Sequence, residues 1–362
     1  MKIAVACGGT GGHVYPGLAT AQELARRGHE VTLWLTGRAT ERAARESWGG
    51  GVVEVPARGL PSGVSWESVQ AGWHLLRAVR RCRQIMREEP PDVLLAMGSY
   101  ASVGPCGAAR GLGVPLVLHE ANVIPGKAVR LFARRATAVA AAFEETRFHL
   151  SRARLEVVGL PLREELTKKA ASLPPRERGA GGEFRLLVTG GSLGARRLND
   201  VMVATLERMK RGGEKIRTVH LTGTAEEAAV REKYAAAGVE AEVIGFTEDM
   251  APLYYAADLA ICRAGASTCG ELAYFGLPAL FVPYPLAAGD HQMANARALE
   301  KRGTADVIEE SALTEDWLEA YLRNMAAMPE RLERMREAAG RRGVQDGTKA
   351  LASLVESCAR AT

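Results

Sequence analysis

Two glycine-rich turns are the features of this sequence best suited to chemistry. One occupies residues 8–12 (Gly-Gly-Thr-Gly-Gly) and the other residues 190–194 (Gly-Gly-Ser-Leu-Gly), about one domain length apart. Each turn follows an apolar segment typical of a strand and precedes an amphipathic segment. A glycine turn at a helix start lets backbone N–H groups and the positive end of the helix dipole approach an anion. The pair therefore indicates two phosphate-facing halves and two diphosphate-bearing substrates.

The glycine turns do not match the common nucleotide-binding motifs. In the first turn Val14 stands where the dinucleotide fingerprint needs its third glycine, and the second strand ends at Leu35 without a following carboxylate. No P-loop motif and no D-x-D sequence occurs. NAD is therefore disfavoured, and we expect a site without metal or cofactor, in which N–H groups, helix dipoles and cations such as Arg163 stabilise a leaving diphosphate.

Three side chains or turns of the first half are candidates for catalysis or binding. His13, at a loop-to-helix junction, has the side chain of a general base near neutral pH, or it caps the helix. Glu120 follows a strand and could orient a hydroxyl or His13, or it could cap the segment Val123–Arg130. The turn Gly98-Ser99-Tyr100 could bind a second anion, or permit close packing of a helix on the sheet.

In the second half the richest segment is residues 263–271, followed by Gln292. Small residues at 266–268 would let the next helix present its N-terminus to a diphosphate. Glu271 lies about one turn further on, where a carboxylate can accept hydrogen bonds from both hydroxyls of a ribose. The alternative is that Glu271 only complements the dipole of the helix N-terminus.

Length and composition favour two α/β domains in a reducing compartment. The chain has 362 residues, a net charge of +5 that does not by itself indicate nucleic acid, and six cysteines without C-x-x-C spacing. The N-terminus enters a strand directly, and no apolar run approaches the length of a membrane span. We expect a cytosolic chain without a nucleic-acid partner, whose contact with any membrane is peripheral.

Alternating strand and helix patterns predict parallel sheets wrapped by helices. In the first half we expect strands at 2–6, 31–35, 52–55, 93–97, 116–119, 139–142 and 155–158. Residues 166–182 have many helix- and strand-breaking residues, so the domain junction is expected there or just before. The second half predicts strands at 185–189, 218–221, 242–244, 259–262 and 279–282, and helices from 193, at 225–237 and at 350–360. The expected domains are 1–163 and 164–344, with the helical segment 345–362 packing back on the first.

Taken together, these motifs resemble the MurG family of peptidoglycan glycosyltransferases, which convert lipid I to lipid II. The motifs that carry the resemblance occur in order at 8–16, 119–122, 159–163, 190–195, 263–268 and 290–292. The resemblance implies a GT-B fold of two Rossmann-like domains with the active site in the cleft between them. It also implies inverting transfer of N-acetylglucosamine from UDP-N-acetylglucosamine to the C4 hydroxyl of N-acetylmuramic acid on an undecaprenyl-diphosphate carrier.

The same resemblance assigns roles to individual residues. His13 is the best candidate for the base, with Glu120 as the alternative. Apart from the resemblance, the turn residues Gly98, Ser99 and Tyr100 are the candidates for acceptor binding. The positions that match donor contacts are Thr10, Gly11, Gly12, Asn122, Arg163, Ser192, Thr247, Ala266, Ser267, Thr268, Glu271 and Gln292. At Thr247 the backbone would hold the uracil. Ala121 and Leu193 stand where family members often have Gln, so side-chain contacts at those positions do not carry over.

A lipid-linked acceptor also predicts a membrane-facing surface. If Trp66–Arg87 is helical, one face carries Leu75, Val79, Cys82 and Met86 and suits the core. The opposite face carries tryptophan, leucine and arginine, a combination that suits the headgroup region of an anionic membrane. Its members are Trp66, Trp73, Leu76, Arg77 and Arg80. The hypothesis is a peripheral patch on the cytoplasmic face of the plasma membrane; packing of the tryptophans against a neighbouring loop is the alternative, and Gly72 could break the helix.

Two other functions remain compatible with the residues alone. A UDP-N-acetylglucosamine 2-epimerase, or another UDP-sugar enzyme of the same fold, would need the donor but no lipid. A nucleotide-sugar binding module would need neither turnover nor a base.

Overall fold

The computed structural model describes residues 1–55, 66–174, 183–191 and 194–359, with backbone alone at 66–72 and 342. The chain divides into two compact units. The first consists of Met1–Arg163 and Gln345–Thr362, and the second of Glu164–Val344. Among the described residues, no helix combines the length and apolar character needed to cross a bilayer.

The first unit is built on a parallel sheet of seven strands in the order β3-β2-β1-β4-β5-β6-β7. Its strands are β1 (Lys2–Ala6), β2 (Glu30–Leu35), β3 (Gly51–Glu54), β4 (Val93–Ala96), β5 (Leu116–Glu120), β6 (Ala138–Ala141) and β7 (Leu155–Val157). The central strands are apolar and buried because helices cover both faces of a parallel sheet. The strand order reverses between β1 and β4, and ligands of such sheets bind outside the carboxyl ends of the strands at that point.

Helices of the first unit pack on both faces of this sheet. They are α1 (Gly11–Arg26), α2 (Arg42–Glu46), α3 (Trp66–Glu88), α4 (Val103–Leu112), α5 (Lys127–Phe132) and, at the end of the chain, α14 (Thr348–Cys358). Short 3₁₀ turns lie at Ala39–Glu41, Tyr100–Ser102, Ala133–Arg135 and Glu144–His149. Side chains of α1 and α14 share a core with one face of the sheet, and those of α3 and α4 share a core with the other.

The second unit repeats the architecture with six parallel strands in the order β10-β9-β8-β11-β12-β13. The strands are β8 (Phe184–Thr189), β9 (Ile216–Leu221), β10 (Ala241–Ile244), β11 (Leu259–Cys262), β12 (Ala279–Phe281) and β13 (Ala305–Val307). The helices are α6 (Glu164–Ser172), α7 (Arg196–Arg211), α8 (Glu227–Ala236), α9 (Ala251–Ala256), α10 (Ala266–Tyr274), α11 (His291–Lys301), α12 (Glu315–Ala327) and α13 (Pro329–Arg342), with a 3₁₀ turn at Ala288–Asp290. The order reverses between β8 and β11.

The parallel α/β class predicted from the sequence is confirmed, and the local differences have physical reasons. Part of the predicted junction is the helix α6, in which Leu166 is buried. Helix α7 begins at Arg196 and not at Leu193, because Gly194 adopts a left-handed φ of +74° that a helix does not allow. The edge strand β13 was not predicted. Gly72 does not interrupt α3.

Candidate active site

The first glycine turn lies where the strand order of the first sheet reverses. It joins β1 to α1, and the buried carboxylate of Glu41 holds it in place. Glu41 accepts hydrogen bonds from the N–H groups of Gly9 (2.8 Å), Thr36 (2.8 Å) and Gly37 (2.9 Å). Because the Gly9 N–H already serves this carboxylate, the amides that the turn can present to a ligand are those at the start of α1, Gly11 and Gly12.

His13 lies in the first turn of α1, where its ring is half-buried. Its Nδ1 lies 3.0 Å from Oγ1 of Thr10. Burial lowers the pKa of His13 to about 4, so the imidazole is neutral at neutral pH. When Nδ1–H donates to the Thr10 hydroxyl, the lone pair lies on Nε2, and that atom can accept a proton.

The turn after β4 packs directly beside the first glycine turn. Ser99, with a left-handed φ of +64°, donates from Oγ to the carbonyl oxygen of Gly8 (2.7 Å) and accepts from the N–H of Ala101 (3.1 Å). A Cβ added at Gly98 would lie 3.5 Å from Cδ2 of His13. The turn Gly98–Tyr100 therefore supports His13 and the glycine turn, and the hydroxyl of Ser99 is used within the fold.

The Tyr100 side chain combines a cation contact with an unpaired hydroxyl. The Arg38 guanidinium lies 5.0 Å from the ring centroid. The hydroxyl is buried and has no hydrogen-bond partner among the described residues. The Arg38 side chain is exposed, so it can reach an anion in solvent from this position.

The second candidate base, Glu120, is engaged by its own loop. It is buried at the end of β5, and its Oε1 accepts from the N–H (2.9 Å) and Nδ2 (3.2 Å) of Asn122. Its Oε2 accepts from the N–H of Gly126 (2.8 Å). Because backbone donors stabilise the charged carboxylate, this geometry suits an organiser of the loop 121–126 better than a proton acceptor.

At the end of the unit, Arg163 stacks over Tyr15, with 5.4 Å between Cζ and the ring centroid.

In the second unit the glycine turn lies at the reversal point between β8 and β11. Ser192 and Leu193 lie outside the described residues. A Cβ at Gly194 would overlap the carbonyl oxygen of Thr222, so only glycine fits there. The N–H of Gly191 donates to Oγ1 of Thr189 (3.2 Å).

Helix α10 follows β11 and points its N-terminus to the same sheet edge. Its N-cap is Gly265, which makes no side-chain cap. The first-turn residues Ala266, Ser267 and Thr268 are half-buried. Their amides have no partner within the helix, because the first turn of any α-helix leaves its N–H groups unpaired. This helix start can therefore receive a phosphate through N–H groups and the dipole.

Three further predicted donor-contact residues lie in α10 (Glu271), in α11 (Gln292) and in the loop after β10 (Thr247). Oε2 of Glu271 accepts from the hydroxyl of Tyr254 (2.8 Å), and Oε1 of Gln292 accepts from the N–H of Tyr284 (2.9 Å). Thr247, after β10, accepts on Oγ1 from the N–H of Asp249 (3.1 Å). Parallel strands end on one side of a sheet, so the fold of the second unit brings these residues to the edge that also carries α10.

Sequence reasoning missed two residues that hold this geometry, Glu41 and Tyr254. Neither belongs to a motif; the only available signal was the position of Glu41 shortly after the end of β2. In the described part of the chain, no group of three or more His, Cys, Asp and Glu side chains is placed to hold a metal ion.

The predicted lipid-facing surface is partly described. On α3, Trp73 and Leu76 are 61% and 57% exposed, and the Arg77 guanidinium lies 5.9 Å from the Trp73 ring centroid. Arg80 is exposed as well. The opposite face packs inward, with Cys82 and Met86 buried and Leu75 and Val79 half-buried. The side chain of Trp66 lies outside the described residues.

Comparison with known families matches both units. Residues 3–141 match the N-terminal domain of glycosyltransferase family 28, and residues 185–351 match its C-terminal domain. A relative from Geobacter metallireducens, named UDP-N-acetylglucosamine–N-acetylmuramyl-(pentapeptide) pyrophosphoryl-undecaprenol N-acetylglucosamine transferase, is 38% identical over 341 residues, which cover 94% of this chain and 93% of the relative.

Two solved structures place the fold among known ones. The crystal structure of Acinetobacter baumannii MurG superposes with a TM-score of 0.81 and 28% identity, covering 98% of this chain and 99% of that one. A UDP-GlcNAc 2-epimerase from Neisseria meningitidis superposes with a TM-score of 0.68 at 12% identity, covering 99% of this chain and 100% of that one, which shows the shared fold alone. The fold is GT-B.

Proposed function

Because this chain belongs to the MurG family within glycosyltransferase family 28, we propose that it transfers N-acetylglucosamine from UDP-N-acetylglucosamine to lipid I and forms lipid II. The observation that carries this proposal is the match, along nearly the whole chain, to relatives named for that transfer. The epimerase resembles this chain in fold but at much lower identity. The products are lipid II and UDP, with inversion at the transferred sugar.

On the acceptor side, the proposed base is Nε2 of His13. The C4 hydroxyl of N-acetylmuramic acid attacks C1 of the donor sugar, the bond from C1 to the diphosphate oxygen breaks, and the hydroxyl proton passes to Nε2. In the tautomer in which Nδ1–H donates to the Thr10 hydroxyl, Nε2 carries the lone pair, and the lowered pKa of about 4 keeps the ring neutral at neutral pH. Gly98, Ser99 and Tyr100 shape the acceptor side, and Glu120 orders the neighbouring loop.

On the donor side, the proposed contacts are grouped by unit. In the second unit, the first turn of α10 (Ala266–Thr268) and the turn with Ser192 receive the diphosphate, Glu271 the ribose, and Thr247 and Gln292 the rest of the donor. In the first unit, the proposed contacts are Thr10, Gly11, Gly12, Asn122 and Arg163. N–H groups and a cation supply the charge stabilisation that the departing UDP requires.

The test is to incubate the protein with UDP-N-acetylglucosamine and a short-chain lipid I analogue. We expect a disaccharide product and an equal amount of UDP. Donor alone should give no UDP-N-acetylmannosamine; its appearance without disaccharide would support the epimerase instead. His13→Ala should keep UDP binding and lose turnover, whereas a binding module would have no turnover to lose.

The membrane part of the proposal is that the α3 patch, defined by Trp66, Trp73, Leu76, Arg77 and Arg80, rests on an anionic lipid surface at the cytoplasmic face of the membrane. The exposed apolar side chains and the arginine beside Trp73 support it. An enzyme acting on a lipid-linked sugar gains from such a contact because both partners are then confined to one surface.

A further inference from the structure

Tyr254 and Glu271 form a hydrogen-bonded pair that links helix α9 to helix α10. The Tyr254 hydroxyl donates to Oε2 of Glu271 across 2.8 Å. Tyr254 is 2% exposed, and its ring packs against Phe275 with 5.4 Å between centroids. Glu271 is half-buried, on the helix whose N-terminus is the proposed diphosphate site.

The two side chains differ in how freely they move before this bond forms. A glutamate has three rotatable bonds and loses considerable rotamer entropy when it is held in one geometry. A buried tyrosine ring that packs against a second ring presents its hydroxyl from a fixed point. A hydrogen bond to a carboxylate is also stronger than one between neutral groups. The tyrosine therefore holds one carboxylate oxygen, Oε2, in place before any ligand arrives.

We infer that Tyr254 is a positioning residue that sets the preference of the donor site for ribose over 2′-deoxyribose. The inference rests on the proposed function, in which Glu271 accepts hydrogen bonds from the ribose hydroxyls. A carboxylate held in one orientation binds a ligand that offers both hydroxyls more tightly. A mobile carboxylate must be ordered when the ligand binds, and the entropy lost in ordering it weakens the binding.

The experiment compares the binding of UDP and 2′-deoxy-UDP by calorimetry, without acceptor. Tyr254→Phe removes only the hydroxyl and keeps the ring contact with Phe275. We expect the UDP to 2′-deoxy-UDP affinity ratio to fall about tenfold, mostly through weaker UDP binding. In Glu271→Ala the ratio should already be low, and adding Tyr254→Phe should lower it no further.

The matched control is the neighbouring tyrosine. The Tyr255 hydroxyl donates to the carbonyl oxygen of Pro174 (2.6 Å), and the side chain is half-buried. Tyr255→Phe should therefore leave the nucleotide ratio unchanged. Circular dichroism and thermal unfolding would check that each variant folds.

The outcomes separate this inference from the proposed function. If Tyr254→Phe keeps the wild-type affinity ratio, or binds both nucleotides equally less tightly, the inference is overturned. The proposed transferase function would not be affected by either result. A wild-type protein that binds UDP without any ribose preference would overturn the inference too. Failure of the wild type to bind either nucleotide would count against the donor site itself, and so against both.

Discussion

His13 carries most of the proposed chemistry, and its surroundings determine the pH range in which it works. Burial lowers its pKa to about 4, and a base must be unprotonated to act. We therefore expect kcat/KM to stay level as the pH is lowered through 6.5, where an ordinary histidine would titrate, and to fall only near pH 4. His13→Ala should lower kcat by about 10²–10⁴-fold. The measurement is a pH–rate profile with the short-chain lipid I analogue as the acceptor.

A half-buried histidine in another part of the first unit, His29, supplies the control for His13. Nε2 of His29 lies 2.8 Å from Oε1 of Glu356, away from the strand ends of the sheet that carry the site. His29→Gln should leave kcat and the acid limb unchanged. An acid limb centred near pH 6.5 in the wild type, or full activity in His13→Ala, would show that another group takes the proton.

His220 makes a separate prediction about stability. It is fully buried in the second unit, with Nδ1 2.9 Å from the Tyr234 hydroxyl and Nε2 3.1 Å from Oδ1 of Asn199, and burial lowers its pKa to about 3. The unfolded chain takes up a proton near pH 6.5, whereas the folded chain does not until about pH 3. The stability that this neutral histidine contributes is therefore complete above pH 6.5 and is lost as the pH falls towards 3.

The variant that tests this is His220→Phe, which removes the hydrogen bonds that the imidazole makes with Oδ1 of Asn199 and the hydroxyl of Tyr234. We expect it to lower the free energy of unfolding at pH 7 by about 1–3 kcal/mol. It should also show a smaller loss of stability between pH 7 and pH 4.5 than the wild type. Urea unfolding at the two pH values measures both effects, and identical pH dependence in the two proteins would argue against a role for His220.

At the scale of elements, the stability of the second glycine turn depends more on glycine at position 194 than on glycine at position 191. Gly191 and Gly194 both have a left-handed φ, +83° and +74°. A Cβ at Gly191 would meet nothing within 4 Å, whereas one at Gly194 would overlap the Thr222 carbonyl oxygen. Gly191→Ala should thus lower the free energy of unfolding only by the cost of placing alanine in a left-handed conformation, about 1–2 kcal/mol. Gly194→Ala should lower the free energy of unfolding, measured in urea, by clearly more because its Cβ would also overlap that oxygen. Equal losses in the two variants would mean that the turn shifts to make room for the Cβ.

The elements were largely predictable, whereas the supports of the site were not. Most strands are short apolar runs between turn residues, a local signal, and the parallel order then places the ends of β1, β4, β8 and β11 where ligands bind. Glu41 and Tyr254 act on Gly9 and Glu271, residues distant in sequence, so no local pattern reveals them. Strand β13 was missed because its three residues, Ala-Asp-Val, make too short a pattern to read.

At the scale of the whole molecule, the first unit is completed by the last part of the chain. Leu351 and Val355 of α14 are fully buried in the same core as Val5 and Leu33. Arg27 reinforces this return through hydrogen bonds to Glu356 (2.7 Å) and to other groups of α14. The unit that carries His13 and the α3 patch therefore needs both chain segments to fold.

Attachment to a membrane is a property of the whole protein, and the α3 patch makes it testable. Arginines near an anionic surface contribute about 1 kcal/mol each, and exposed tryptophan adds an interfacial contact. We expect Trp73→Ala/Arg80→Ala to sediment less with vesicles of anionic lipid, and binding of the wild type to weaken with salt. Activity on the short-chain soluble acceptor should be unchanged, whereas activity on lipid I in vesicles should fall.

The control pair lies in the second unit, where Trp317 is 38% exposed and Arg334 is exposed. Trp317→Ala/Arg334→Ala removes the same two residue types from exposed positions outside α3, so it should sediment like the wild type. If both pairs reduced sedimentation equally, general basicity would explain binding and the α3 patch would have no special role. If neither did, the surface that meets the lipid would lie elsewhere. A loss confined to the α3 pair is the result expected when tryptophan and arginine act together on one helix face.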